Sequence, residues 1–194
     1  MRVIRFVILA GLIFTVGCST TGAKYEASAY NVREIEASFK NSIAVGKFTR
    51  DESELVIDPW SFRGATKIAS PVGDGHHDYI AKGIEDELML ARRLDSGSPL
   101  VLSGNLTEHI VDASGTNVGK GSVAMTFTLR NSGEIAYEDS KRVDYKWDSA
   151  FMGVTAATNA ARAHLEMIER LINSLFQDAK FVGAVNADGE LDRE

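Results

Sequence analysis

The strongest pattern along the chain has a period of two: Val123, Met125, Phe127 and Leu129 alternate with Ala124, Thr126, Thr128 and Arg130. Successive strand residues point to opposite faces, so this run predicts a strand with one buried and one wetted face. Asn131-Ser132-Gly133 follows as a compact hairpin connection. Ile135–Trp147 then returns, with Val143, Tyr145 and Trp147 alternating against Asp144, Lys146 and Asp148. Upstream, Ser42–Phe48 reads as a short buried strand, Glu52–Asp58 as a weaker one, and Leu100–Val111 as a longer one in which Gly104 marks a bulge. Two segments carry the helical period instead. Ile80, Ile84, Leu88 and Ala91 form one stripe of a helix from about His77 to Leu94, capped by Asp74 or a neighbour. A second helix runs from about Thr155 to Gln177, with Ala157, Ala161, Ile168, Leu171, Ile172 and Leu175 inward.

The order strand, helix, three strands, helix has too few helices for a doubly wound sheet. It predicts an α+β two-layer sandwich, an antiparallel or mixed sheet of about four strands with two helices on one face. The predicted domain spans 42–182. Residues 60–75 read as a loop, punctuated by Gly64, Pro71, Gly73 and Gly75. Residues 18–41 show no sustained period and read as a tether, ending in a short helix around Val32–Phe39, and 183–194 as an acidic flexible tail.

The amino end adds an address. Arg2 and Arg5 precede an uncharged apolar run from Phe6 to Gly17 that ends at the single cysteine, Cys18. As a helix that run would rise only about 18 Å, short of the roughly 30 Å hydrocarbon core. Residues 1–17 therefore read as an export signal. Phe14-Thr15-Val16-Gly17-Cys18-Ser19 resembles the bacterial lipobox, although Thr15 stands where leucine is most frequent. That resemblance implies lipidation of Cys18 and attachment to the membrane through its acyl chains. With Ser19 after the cysteine, it also implies residence on the periplasmic face of the outer membrane.

Lipidation would consume the only thiol, leaving none for a disulfide, a nucleophile or a zinc-thiolate site. Removing residues 1–17 lowers Lys+Arg from 21 to 19 against 27 Asp+Glu, for a formal charge of −8. Such an acidic chain is unsuited to nucleic acid, whose binding depends on neutralising phosphates.

Among candidate chemistry, Gly73-Asp74-Gly75-His76-His77-Asp78 holds two imidazoles and two nearby carboxylates, but adjacent histidines point about 100° apart on a helix. His109 and His164 lie in a strand and a helix, with no Gly-x-Ser-x-Gly elbow and no His-Glu-x-x-His spacing. The expectation is no catalytic centre, no metal and no cofactor. Trp60, Phe62 and Arg63 concentrate residue types enriched at binding hot spots in one loop. Either they meet a partner, or Trp60 and Phe62 fold back to cover the core.

The early strand, the segment Leu100-Val101-Leu102-Ser103-Gly104-Asn105-Leu106, the long hairpin, the Ser149-Ala150-Phe151 corner and the terminal helix are similar to YajG-like and TolB-amino-terminal-like envelope lipoproteins. The resemblance implies a non-enzymatic accessory or scaffold in cell-envelope assembly, acting through an envelope protein partner. The alternative is a carrier of lipid or lipopolysaccharide with an apolar groove between sheet and helices. A hydrolase comes last.

Overall fold

The structure is a computed structural model and describes residues 19–187. Cys18, the signal segment and the end of the acidic tail lie outside the described residues. The central sheet has four strands, β2 (Ala44–Arg50), β5 (Leu100–Asp112), β6 (Val118–Asn131) and β7 (Glu134–Asp148), in the order β2-β5-β6-β7. β2 runs parallel to β5, and the other pairs are antiparallel, so the sheet is mixed. β6 buries the alternating set expected of it: Val123, Met125, Phe127 and Leu129 are all fully buried.

A second, three-stranded sheet departs from the expected architecture. β1 (Ser19–Thr21), β4 (Thr66–Ala69) and β3 (Trp60–Phe62) pair in the order β1-β4-β3. The stretch read as a loop at 60–75 thus begins as a hairpin, turning at Arg63 and Gly64, both with positive φ. Glu52–Asp58 forms no strand beyond a single bridge between Val56 and His109.

Among the described residues four helices accompany the sheets, α1 (Ala29–Ser38), α2 (His76–Leu90), α3 (Gly153–Phe176) and α4 (Ala179–Asn186), so the two expected on one face and the short one expected near Val32–Phe39 are joined by a fourth. The expected α2 stripe is buried throughout. Ile80, Ile84 and Leu88 have no exposure, and Ala91 follows just past the helix end. In α3 the inner face runs through Ala156, Ala160, Ala163, His164, Met167, Ile168, Leu171, Ile172 and Leu175. The alanines expected inward, Ala157 and Ala161, sit one position off that face.

Residues 19–41 are docked along the fold rather than free. Ile35 and Phe39 belong to the core, and the Phe39 ring meets Phe176 and Phe181 edge-on at 5.8 Å each. Buried Glu87 of α2 receives hydrogen bonds from the Tyr25 hydroxyl at 2.6 Å, and from the Ser28 N–H and the Asn31 amide at 3.0 Å. Burial pushes the Glu87 carboxyl up from its ordinary value while these donors pull it back. At the other end, Phe181 and Val185 of α4 are fully buried, so helical structure passes residue 182, the expected end of the domain, into the stretch read as a tail from 183.

Candidate functional site

β5 changes face part-way along. Leu100, Leu102 and Leu106 point into the core, and Gly104 leaves the space that the Phe48 ring fills. The bulge lies not at Gly104 but between Leu106 and Glu108, where the register against β6 shifts. An extra residue in one strand inverts the alternation beyond it. From there His109 and Val111 face inward, while Glu108 turns to the opposite face and meets Ser122 and Arg142.

Inverted in this way, the imidazole of His109 meets two others. His76 is the first residue of α2, and His164 belongs to the inner face of α3. The three are 1 %, 0 % and 7 % exposed in the order His76, His109, His164. His76 stacks on His109 with ring centroids 4.3 Å apart, and His164 stands nearly perpendicular to both. Nε2 of His109 lies 3.0 Å from Nε2 of His164. One nitrogen from each of the three rings lies within 4.8 Å of the others.

Two of the rings have their outer nitrogen occupied. His76 Nδ1 is 2.7 Å from Asp58 Oδ1, and His109 Nδ1 is 2.9 Å from the Ile57 carbonyl. Both acceptors lack a proton to give, so Nδ1–H donates in each pair and the Nε2 lone pair turns inward. Asp58 also caps α2, accepting from the His76 backbone N–H at 2.6 Å, with Arg50 at 3.2 Å on the same oxygen. The N-cap residue is Gly75, the neighbour of Asp74, and with no side chain at that position the carboxylate of Asp58 serves the positive helix end. Burial acts to raise the Asp58 carboxyl, but the hydrogen bonds from the His76 ring and backbone hold it well below the ordinary carboxylate range. Burial pushes His109 down to about 4. Burial also drives His164 well below its ordinary value, helped by its two neighbours.

His77 points away from its neighbour, as adjacent helical histidines must. Its Nε2 lies 3.3 Å from Asp74 and 3.6 Å from Asp78, in a surface cleft of about 430 Å³ lined also by Val45, Phe48 and Lys82. The two histidines of the Gly73–Asp78 segment thus serve different places.

Trp60, Phe62 and Arg63 are engaged within the fold. Trp60 and Phe62 share one face of β3, and that face turns inward: Trp60 is 2 % exposed with its ring 5.9 Å from His164, and Phe62 packs against the core. Arg63 reaches instead to the carbonyls of Ala150 and Phe151. Beside these carbonyls stand three exposed apolar side chains, Phe151, Met152 and Val154, at 85 %, 71 % and 81 % exposure.

No family model matches the chain, and no curated protein sequence does. Solved structures do. A Xanthomonas campestris protein of the DUF330 family aligns over 85 % of this chain and 96 % of its own, with a TM-score of 0.55 and 11 % identity. A Caulobacter crescentus protein provisionally named a lipoprotein covers 79 % of this chain and 97 % of its own, at a TM-score of 0.47 and 14 % identity. A Chlamydia trachomatis hypothetical protein covers 75 % and 98 %, at 0.38 and 11 %. The likeness to the Xanthomonas protein is one of fold.

Proposed function

We propose that this chain is a periplasmic lipoprotein, anchored by Cys18 to the outer membrane, that serves as a non-catalytic accessory in cell-envelope assembly by holding an envelope protein partner. One observation carries the reading. Ser19, next to the lipobox cysteine, pairs with Lys67 beside the β3–β4 turn, and Arg63 of that turn grips Ala150 and Phe151. Ser19 and the exposed Phe151, Met152 and Val154 thus lie at the same end. Apolar side chains of this size presented together mark a contact surface, and beside an acyl anchor that surface is the bilayer.

The long ribbon of β6 and β7 then points away from the membrane. Its hairpin at Ser132 and Gly133 lies at the opposite end, about 45 Å distant at 3.4 Å per residue. That reach suits a protein partner in the periplasm. The layer between sheet and helices is filled by Leu102, Leu106, Phe127, Ile168, Leu171 and Leu175, all without exposure, which favours the scaffold over the carrier. Among the described residues no helix is long and apolar enough to cross a membrane.

A photocrosslinking amino acid at Met152, and separately at Ser132, tests this in intact cells. We expect phospholipid adducts from Met152 and an envelope-protein adduct from Ser132. Protein adducts without lipid at Met152 would overturn the orientation, and no protein adduct at Ser132 would overturn the scaffold. Lipid captured by a crosslinker at Leu106, inside the sheet-helix layer, would favour the carrier instead.

A further inference from the structure

The buried imidazoles make sense as a ligand set. We infer that His76, His109 and His164 bind one zinc-class divalent cation in the core, with Asp58 and the Ile57 carbonyl orienting the first two rings. Nothing in this inference depends on the membrane anchor or on a protein partner.

The geometry fits the ion. Zinc sits about 2.0 to 2.1 Å from an imidazole nitrogen, so two ligands of a tetrahedral site stand roughly 3.3 Å apart. The closest pair here stands at 3.0 Å, and all three fall within 4.8 Å, so small rotations about the side-chain bonds bring the set to ligating distance. Tautomers are already set for it at two rings, whose Nδ1–H groups are held outward. A ligating histidine that donates its other N–H to a carboxylate or a backbone carbonyl is the usual outer arrangement of a metal site. His164 needs only to carry its proton on Nδ1 for the third lone pair to join.

Three neutral imidazoles and no thiolate suit zinc, copper or nickel rather than magnesium or calcium, which prefer oxygen. Asp58 supplies one negative charge next to the first ligand. Without a cation, Asp58 and Ile57 satisfy the outer nitrogens of His76 and His109, but the inward nitrogens of the three rings share only the His109–His164 hydrogen bond. Trp60 adds an independent mark at the same corner of the core: its buried indole N–H has no acceptor among the described residues. That donor suits a water or anion in the fourth position of the ion. Because the ligands come from α2, β5 and α3, the cation would tie three elements together, a structural role.

The test uses the whole lipidated protein in detergent, stripped with a chelator and titrated with zinc against a chromophoric competitor. We expect one equivalent bound, a higher melting temperature with zinc, and the intense visible absorption of four-coordinate cobalt when Co²⁺ replaces it. His76→Gln, His109→Gln and His164→Gln should each weaken binding at least about 100-fold, and Asp58→Asn about 10- to 100-fold, the range for an orienting partner. His77→Gln should change nothing. Absence of a bound equivalent in the wild type, or a weak octahedral cobalt spectrum, overturns the proposal without any variant having to fold. So does zinc that survives the three glutamine variants but is lost in His77→Gln, since the ion would then sit in the surface cleft.

Discussion

Asp178, half-buried at the start of α4, gathers three interactions. It caps α4 by accepting from the Lys180 N–H at 2.7 Å, accepts from the Tyr137 hydroxyl at 2.9 Å, and pairs with Lys141. Its partial burial acts upward, yet the bonds from Lys141, Lys180 and Tyr137 hold its carboxyl at about 2. A carboxyl depressed on folding binds fewer protons in the native state, so its stabilisation is present above the unfolded value near 3.9 and is lost as pH falls toward 2. Asp178→Asn retains a good capping oxygen and removes the charge. The variant should be less stable at pH 7 by about 2 kcal/mol, the scale of one hydrogen bond to a charged group. Thermal melts of both proteins from pH 7 to 2 check it, and the gap should close below pH 3. A gap that stays constant with pH would mean that packing, not charge, sets the difference.

At the scale of elements, the docking of α1 decides what the folded unit is. Ile35 and Phe39 each contribute about 1.5 to 3 kcal/mol by complete burial, and they cover a face that α2, α3 and α4 would otherwise expose. A chain beginning at Ser42 should therefore melt lower on the order of 10 °C or more, given a few degrees per kcal/mol at this size. An unchanged transition would return residues 19–41 to the status of a tether. Why this was hidden is physical. Tyr25, Ser28 and Asn31 lie on no apolar stripe, because what docks them is the single buried acceptor Glu87, 56 to 62 residues away. The β6–β7 ribbon and the α2 stripe were legible, since each buries a face at its own local period. The histidine cluster was not. Its members are separated by 33 and 55 positions along the chain, and the bulge at Glu108 inverts the alternation that would have placed His109 outward. His164 was within reach: continuing the Ile168, Leu171, Ile172 stripe back by four and by seven places it on the inner face.

For the whole molecule as proposed, charge and anchor would pull in opposite directions. Without residues 1–17 the chain carries a formal −8, which would be repelled by an anionic bilayer, so electrostatics could not hold it there. Attachment would rest on acyl chains at about 0.8 kcal/mol per buried methylene, with two or three chains holding far more firmly than one. Exposed Phe151, Met152 and Val154 would add apolar area at the proposed anchored end, but only once an anchor had brought them to the surface. The expected behaviour is specific: the protein stays with membranes through high salt, which screens charges, and leaves with detergent, which dissolves the acyl environment. Serine replacement at Phe151, Met152 and Val154 together should leave it membrane-bound with an unchanged melting temperature, whereas Cys18→Ser should release it to the soluble fraction. Intact mass of the wild type should show an amino terminus at Cys18 carrying acyl chains. A Cys18→Ser protein that still sediments with membranes would transfer the anchoring role from lipid to the apolar knob, and the order of these two contributions would be reversed.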